Sequence, residues 1–186
     1  EEGKEMTQAW SSWMRENFLD PETGLMMSAV DDITVEPLDG PRGCAIMWSI
    51  LFMNLFDHSF ALDQYRLFKK CCITRFGPFV GALERPGEHE SSPGDIDSGQ
   101  IVFGFGESAT GFALGSAHVM GDLETEKALQ AFFDRFAGER KEADTIHYER
   151  LSPLSDALIL FSQTAIRWDG RYNTSPPAHS EGSSSH

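Results

Sequence analysis

Basic side chains are scarce in this chain: 15 Lys and Arg stand against 29 Asp and Glu, a formal net charge of −14. Nucleic-acid backbones and anionic membranes are bound by basic faces, so the charge argues against both partner classes. A neutral small molecule or glycan fits this charge, and so does simple solubility. Cysteine is also sparse, with only Cys44, Cys71 and Cys72. An odd count with an adjacent pair gives no disulfide framework, and no Cys/His spacing suits zinc. All three lie in apolar runs and read as buried free thiols, which points to a reducing, cytoplasmic setting.

Long apolar runs are missing too. The longest, Cys44 to Phe56, is broken by Ser49 and Asn54 and is too short to cross a bilayer. No signal peptide is recognisable. Residue 1 is Glu, which leaves open an upstream segment, targeting or membrane-bound.

What the chain does have is aromatic mass. Fourteen Phe and four Trp, in a sequence 40% hydrophobic, imply a thick core or an aromatic-lined cavity. The apolar spacing predicts six helices. The first covers about residues 4–18 and stops at Asp20-Pro21. The second starts near Pro41, with Asp39 as a cap, and runs to Phe56. The third follows Asp57-His58-Ser59 and reaches Thr74. A polar loop over about 75–97 separates it from the fourth, which starts after Asp97 or Ser98 and ends at Met120. The fifth carries the stripe Leu129, Phe132, Phe133 and Phe136 and ends at Gly138. The sixth starts at Ser152 and Pro153. From Asn173 the chain is rich in Ser, Pro, Gly and His, as expected of a disordered tail over 171–186.

Helices two, four and six start near Gly43, Ser98 and Pro153, at even intervals that suggest repeated helical hairpins. Connections alternate between short and long. In an up-down array the long ones share one end, where function usually sits on a rigid scaffold.

Candidate chemistry clusters at that end. Asp95 and Asp97 precede the fourth helix. They either cap it or form a carboxylate pair for acid/base work, with Glu84 on the same loop. Arg42 opens the second helix and either clamps a ligand or pairs with Asp95 or Asp97. Trp48 and Tyr65 either line a cavity or pack the core. Ser108 lies in Gly104-Phe105-Gly106-Glu107-Ser108-Ala109-Thr110-Gly111, which has neither the ending nor the βαβ context of a phosphate or dinucleotide loop. Nor is it a nucleophile elbow. Its small residues instead allow a neighbouring helix, or a ligand, to come close. His118 and His147 have no metal-ligand spacing. No metal and no cofactor is expected.

The stretches Trp13 to Leu25, Gly40 to Phe76 and Asp95 to Gly121 resemble part of an (α/α) toroid. That fold is shared by six-hairpin glycosidases, terpenoid cyclases and linalool dehydratase/isomerase-like proteins. The last stretch is similar to uncharacterised bacterial members. The resemblance covers about residues 10–168 and implies an all-α domain over 1–170. A full ring has about twelve helices, so six imply a C-terminal half, completed by another chain or by a longer one. The expectation is therefore a partial toroid that is an oligomer or part of a longer chain. Its implied activity is that of a hydrolase or lyase acting on a neutral carbohydrate or isoprenoid, with Asp97 at its centre. The alternative is a non-catalytic binding or assembly module, the soluble part of a larger, membrane-associated protein.

Overall fold

In the computed structural model, residues 2–136, 138–142, 145–148 and 153–166 are described. Among them are six helices: α1 (Glu2–Asn17), α2 (Gly43–Met53), α3 (His58–Cys71), α4 (Glu107–Met120), α5 (Leu123–Phe136) and α6 (Pro153–Thr164). Between them lie eight short strands, paired as four separate antiparallel hairpins. These are β1 (Ala29–Val30) with β2 (Pro37–Asp39), β3 (Ile73–Phe76) with β4 (Phe79–Ala82), β5 (Ile101–Val102) with β6 (Phe105–Gly106), and β7 (Glu139–Glu142) with β8 (Thr145–Tyr148).

The fold is therefore mixed α and β, and the all-α partial (α/α) toroid is corrected. The expected third helix ends three residues early, and Ile73 begins a strand instead. The expected fourth helix loses its first turns: residues 101–106 pair as a hairpin and α4 begins only at Glu107. With that shift the starts of α2, α4 and α6 are no longer evenly spaced, so the repeat argument fails. Ser152 and the tail over 171–186 lie outside the described residues.

The helices that form do so for legible reasons. α2 is apolar almost all round, as suits a helix covered on several sides. Ile46, Met47, Ile50 and Met53 in it are buried. It packs on α3 and on α4, and α4 also packs on α6. α3 starts at a true cap: Asp57 accepts the Phe60 N–H at 3.0 Å. α4 ends at Gly121, whose φ of +71° closes the helix in the left-handed region.

The small face of α4 is used for close packing. A Cβ on Gly111 would lie 2.6 Å from the Leu158 side chain, and one on Gly115 would lie 2.9 Å from the Ser162 hydroxyl. The approach lets Ser162 donate to the Gly111 carbonyl at 2.9 Å, while Ser116 donates to the Met47 carbonyl at 3.0 Å. Hydroxyl-to-carbonyl bonds thus tie α4 to its neighbours on both sides. The core runs from Leu25 and Met26 through α2 and α3 to Leu129 and Phe133 on α5.

Candidate functional site: the Arg42–Trp48 cleft

The first residue of α2, Gly43, follows an Arg42 that gives no side-chain cap. The cap comes from a distant residue. Glu84, just past β4, accepts the Gly43 N–H on its carbonyl at 2.6 Å and the Cys44 N–H on Oε2 at 3.4 Å. A carboxylate here faces the positive end of α2. Glu84 is itself positioned by the hairpins: its N–H donates to the Gly104 carbonyl at 2.8 Å. Its side chain is 2% exposed.

A buried carboxylate needs partners. Arg42 Nε donates to Glu84 Oε1 at 3.0 Å, and the Cys44 thiol donates to the same oxygen at 2.9 Å. Burial first, then the Glu84 hydrogen bond and charge, push the Cys44 thiol up to about 12. It is a held thiol rather than a nucleophile.

The far end of Arg42 reaches Asp95, with Nη2 2.8 Å from Oδ2. Burial would lower the guanidinium pKa, but Asp95, Cys44 and Glu84 together raise it. Asp95 in turn closes its own loop: its Oδ1 accepts the N–H groups of Asp97 and Ser98 at 3.0 and 2.8 Å. The Arg42 guanidinium beside it, then the Ser98 N–H, hold its carboxyl well below the usual range. Arg85 completes the cluster by pairing with Asp39 at 2.9 Å.

Beside this cluster lies a cleft of about 360 Å³. Arg42, Trp48, Asp97 and Ser108 all line it, so the fold gathers four sequence-selected residues from three separate segments. Glu84 and Asp95 stand behind Arg42, spent on holding it. Asp97 is different. It is exposed, and among the described residues its carboxylate has no hydrogen-bond or ion partner. Trp48 is 43% exposed and rests edge-on against Phe52 and Phe112, with centroids 4.8 and 4.7 Å away.

Tyr65 does not join this group. It donates to Asp122 at 2.9 Å in a separate network with Lys69 and Thr125. Burial and the Asp122 carboxylate raise its pKa. Ser28 also lines the cleft. The hydroxyl of Ser28, just before β1, is buried in the cleft wall and has no hydrogen-bond partner among the described residues. A serine in a loop carries no local signal for such a place.

Asp39, Glu84, Asp95 and Asp97 outnumber Arg42 and Arg85, so the surroundings stay acidic. Among the described residues no group of His, Cys, Asp and Glu is arranged to hold a metal ion. No described helix is long and apolar enough to cross a membrane. No family model matches the chain and no curated protein matches it, so the reading of this site rests on its geometry.

Proposed function

We propose that the Arg42–Trp48 cleft binds a neutral, hydroxylated small molecule such as a monosaccharide or polyol. The observation that carries this reading is the buried Ser28 hydroxyl, which has no hydrogen-bond partner among the described residues, in a cleft that the half-exposed Trp48 indole also lines. Buried polar groups are normally paired, and a ligand hydroxyl would supply the partner. Ser108 and Asp97 add further polar positions, while Trp48, Phe112 and Leu158 offer apolar surface to the carbon skeleton of a sugar. The acidic surroundings argue against an anionic ligand. The acidic side chains also leave Arg42 little charge to offer one.

Saturation-transfer NMR against a panel of neutral monosaccharides, disaccharides and polyols tests this. At least one member is expected to give a saturable signal that Trp48→Ala and Ser28→Ala weaken. A panel with no saturable member overturns the reading.

A second reading, acid/base chemistry on such a ligand, is favoured by the unengaged Asp97 carboxylate. Glycoside hydrolysis ordinarily uses two carboxylates. Here Glu84 and Asp95 are committed to Arg42, which leaves Asp97 to act alone and favours proton transfer without a paired nucleophile. Turnover of a ligand found in the panel, abolished by Asp97→Asn with binding retained, supports this second reading. Binding without turnover removes it and leaves the binding function.

A further inference from the structure

A second cavity, of about 340 Å³, opens between the hairpins β3–β4 and β5–β6 and the helices α4 and α5. Its wall is mostly hydrocarbon. Phe79, Phe132 and Phe133 line one side, and Phe76, Phe103 and Phe105 line the other. Neighbouring rings meet edge-on: Phe79 with Phe132 at 81° and Phe132 with Phe133 at 89°. Phe76 and Phe103 instead lie face to face, with centroids 4.9 Å apart and planes 16° apart. This stack joins the tips of the two hairpins.

Phe103 stands there against its backbone preference. Its φ is +52° and that of Gly104 is +82°, both positive, as in a type I′ hairpin turn. Asn, Asp or Gly normally takes the first of those positions. A bulky side chain in the left-handed region costs on the order of 1 kcal/mol. What the Phe supplies in return is a ring over the cavity mouth. Phe103 is 52% exposed and Phe76 53%, so the pair is an outer layer rather than core.

The lining also defines the ligand. Polar groups in the lining are few: the Thr110 hydroxyl donates to the Gly106 carbonyl at 2.8 Å and accepts the Ala82 N–H at 3.1 Å, which leaves it one acceptor lone pair, and Gln100 adds an amide. Glu107 lines the cavity too, and with a net charge of −14 it disfavours an anion. An apolar cavity of roughly 150 Å³ stays dry and takes up benzene. This one is about twice that size.

We propose that this cavity binds an uncharged, largely apolar molecule of about two fused rings, with Phe103 as part of its cover. The proposal does not depend on the reading of the Arg42–Trp48 cleft.

The test uses N-phenyl-1-naphthylamine, an uncharged dye that brightens on leaving water. The wild-type chain is expected to bind it saturably, one to one, and naphthalene to displace it. Val102 lines the cavity and is half exposed, so Val102→Trp fills the space; dye affinity is expected to fall by about tenfold or more. Phe103→Asn places a favoured residue in the turn and removes the cover. It is expected to keep the fold, with an unfolding midpoint at or above wild type, and to weaken the dye by about fivefold. If Val102→Trp fails to fold, Phe103→Asn decides. Absence of saturable binding, unchanged affinity in Phe103→Asn, or displacement of the dye by a sugar rather than by naphthalene would each overturn the proposal.

Discussion

Arg42 and Glu84 meet at 3.0 Å where three parts of the chain converge: the start of α2, the segment after β4 and the loop held by Asp95. The Arg42 side chain is 14% exposed and that of Glu84 2%. The pair therefore sits between a surface ion pair, which contributes little, and a fully buried one.

Removing one partner leaves the other uncompensated. Glu84→Ala also removes the side-chain acceptor of the Cys44 N–H and thiol, while the backbone carbonyl at 84 still accepts the Gly43 N–H. The expected loss is about 3–5 kcal/mol, read from urea denaturation. The double variant Arg42→Met with Glu84→Ala is expected to lose less than the sum of the single variants, because the two share one interaction. Additive losses would show that the pair is not a unit.

Acid should weaken the fold through Asp57 and Asp122. Burial alone would raise the Asp57 carboxyl, but bonds from Ser11, the Phe60 N–H and Arg15 hold it down to about 2. Asp122 behaves likewise: burial raises it, and Lys69, Tyr65 and Thr125 bring it down to about 2. Depressed carboxyls stabilise the fold fully above their unfolded value near 3.9. That contribution is lost as the pH falls from about 4 through 2, when the folded state must take up protons. Each site is expected to contribute on the order of 1–2 kcal/mol, allowing for partial solvent access. Unfolding free energy measured between pH 5 and 2 should fall less steeply in Asp57→Asn and Asp122→Asn. Slopes equal to wild type would remove both groups from the account.

The helices were legible because their apolar residues recur at helical spacing: Leu129 and Phe133, read as one stripe, are both buried. The hairpins were not. β3 and β4 are four residues each and follow α3 almost directly, so Ile73 continues the helical spacing and Gly77-Pro78 reads as the opening of a loop. At 101–106 the glycines read as part of a small-residue helix face. Val102-Phe103-Gly104-Phe105, a two-residue turn between apolar residues, was the signal available. Part of the site was accessible from charge alone, since Arg42 does pair with Asp95. Glu84 as the distant cap of α2 depends on a tertiary contact 40 residues away from Cys44 and leaves no local trace.

The contact between α4 and α6 leaves no room for side chains at Gly111 and Gly115. Gly111→Val would drive a branched side chain into Leu158, and overpacking of this kind costs about 1–3 kcal/mol. Even Gly115→Ala, which gains roughly 1 kcal/mol in helix propensity, meets Ser162 within 3.0 Å of two side-chain atoms. Both are expected to lower the thermal midpoint, with Gly111→Val the more severe. A midpoint raised by Gly115→Ala would mean that α6 yields at this contact.

The three thiols should separate by reactivity. Cys71 is exposed and its sulfur lies 2.8 Å from that of Cys72. The hydrogen bond from Cys72 lowers the Cys71 pKa against the effect of burial, and Lys70 helps. Cys44 is buried, and its thiol is raised to about 12. The thiolate is the reactive form, so Cys71 is expected to take up iodoacetamide first in the native protein. Cys44 should stay unmodified until denaturant is added. Mass spectrometry of timed samples at pH 8 reads the order directly. Above pH 9 a linked effect appears. A buried thiol raised from 9 towards 12 stabilises the fold fully below 9, and that stability is lost as the pH climbs through 12. Cys44→Ser, which cannot titrate in that range, should therefore lose less stability than wild type between pH 9 and 11. Early alkylation of Cys44 in the native protein would mean that the Glu84 end of α2 opens to solvent far more readily than its packing implies.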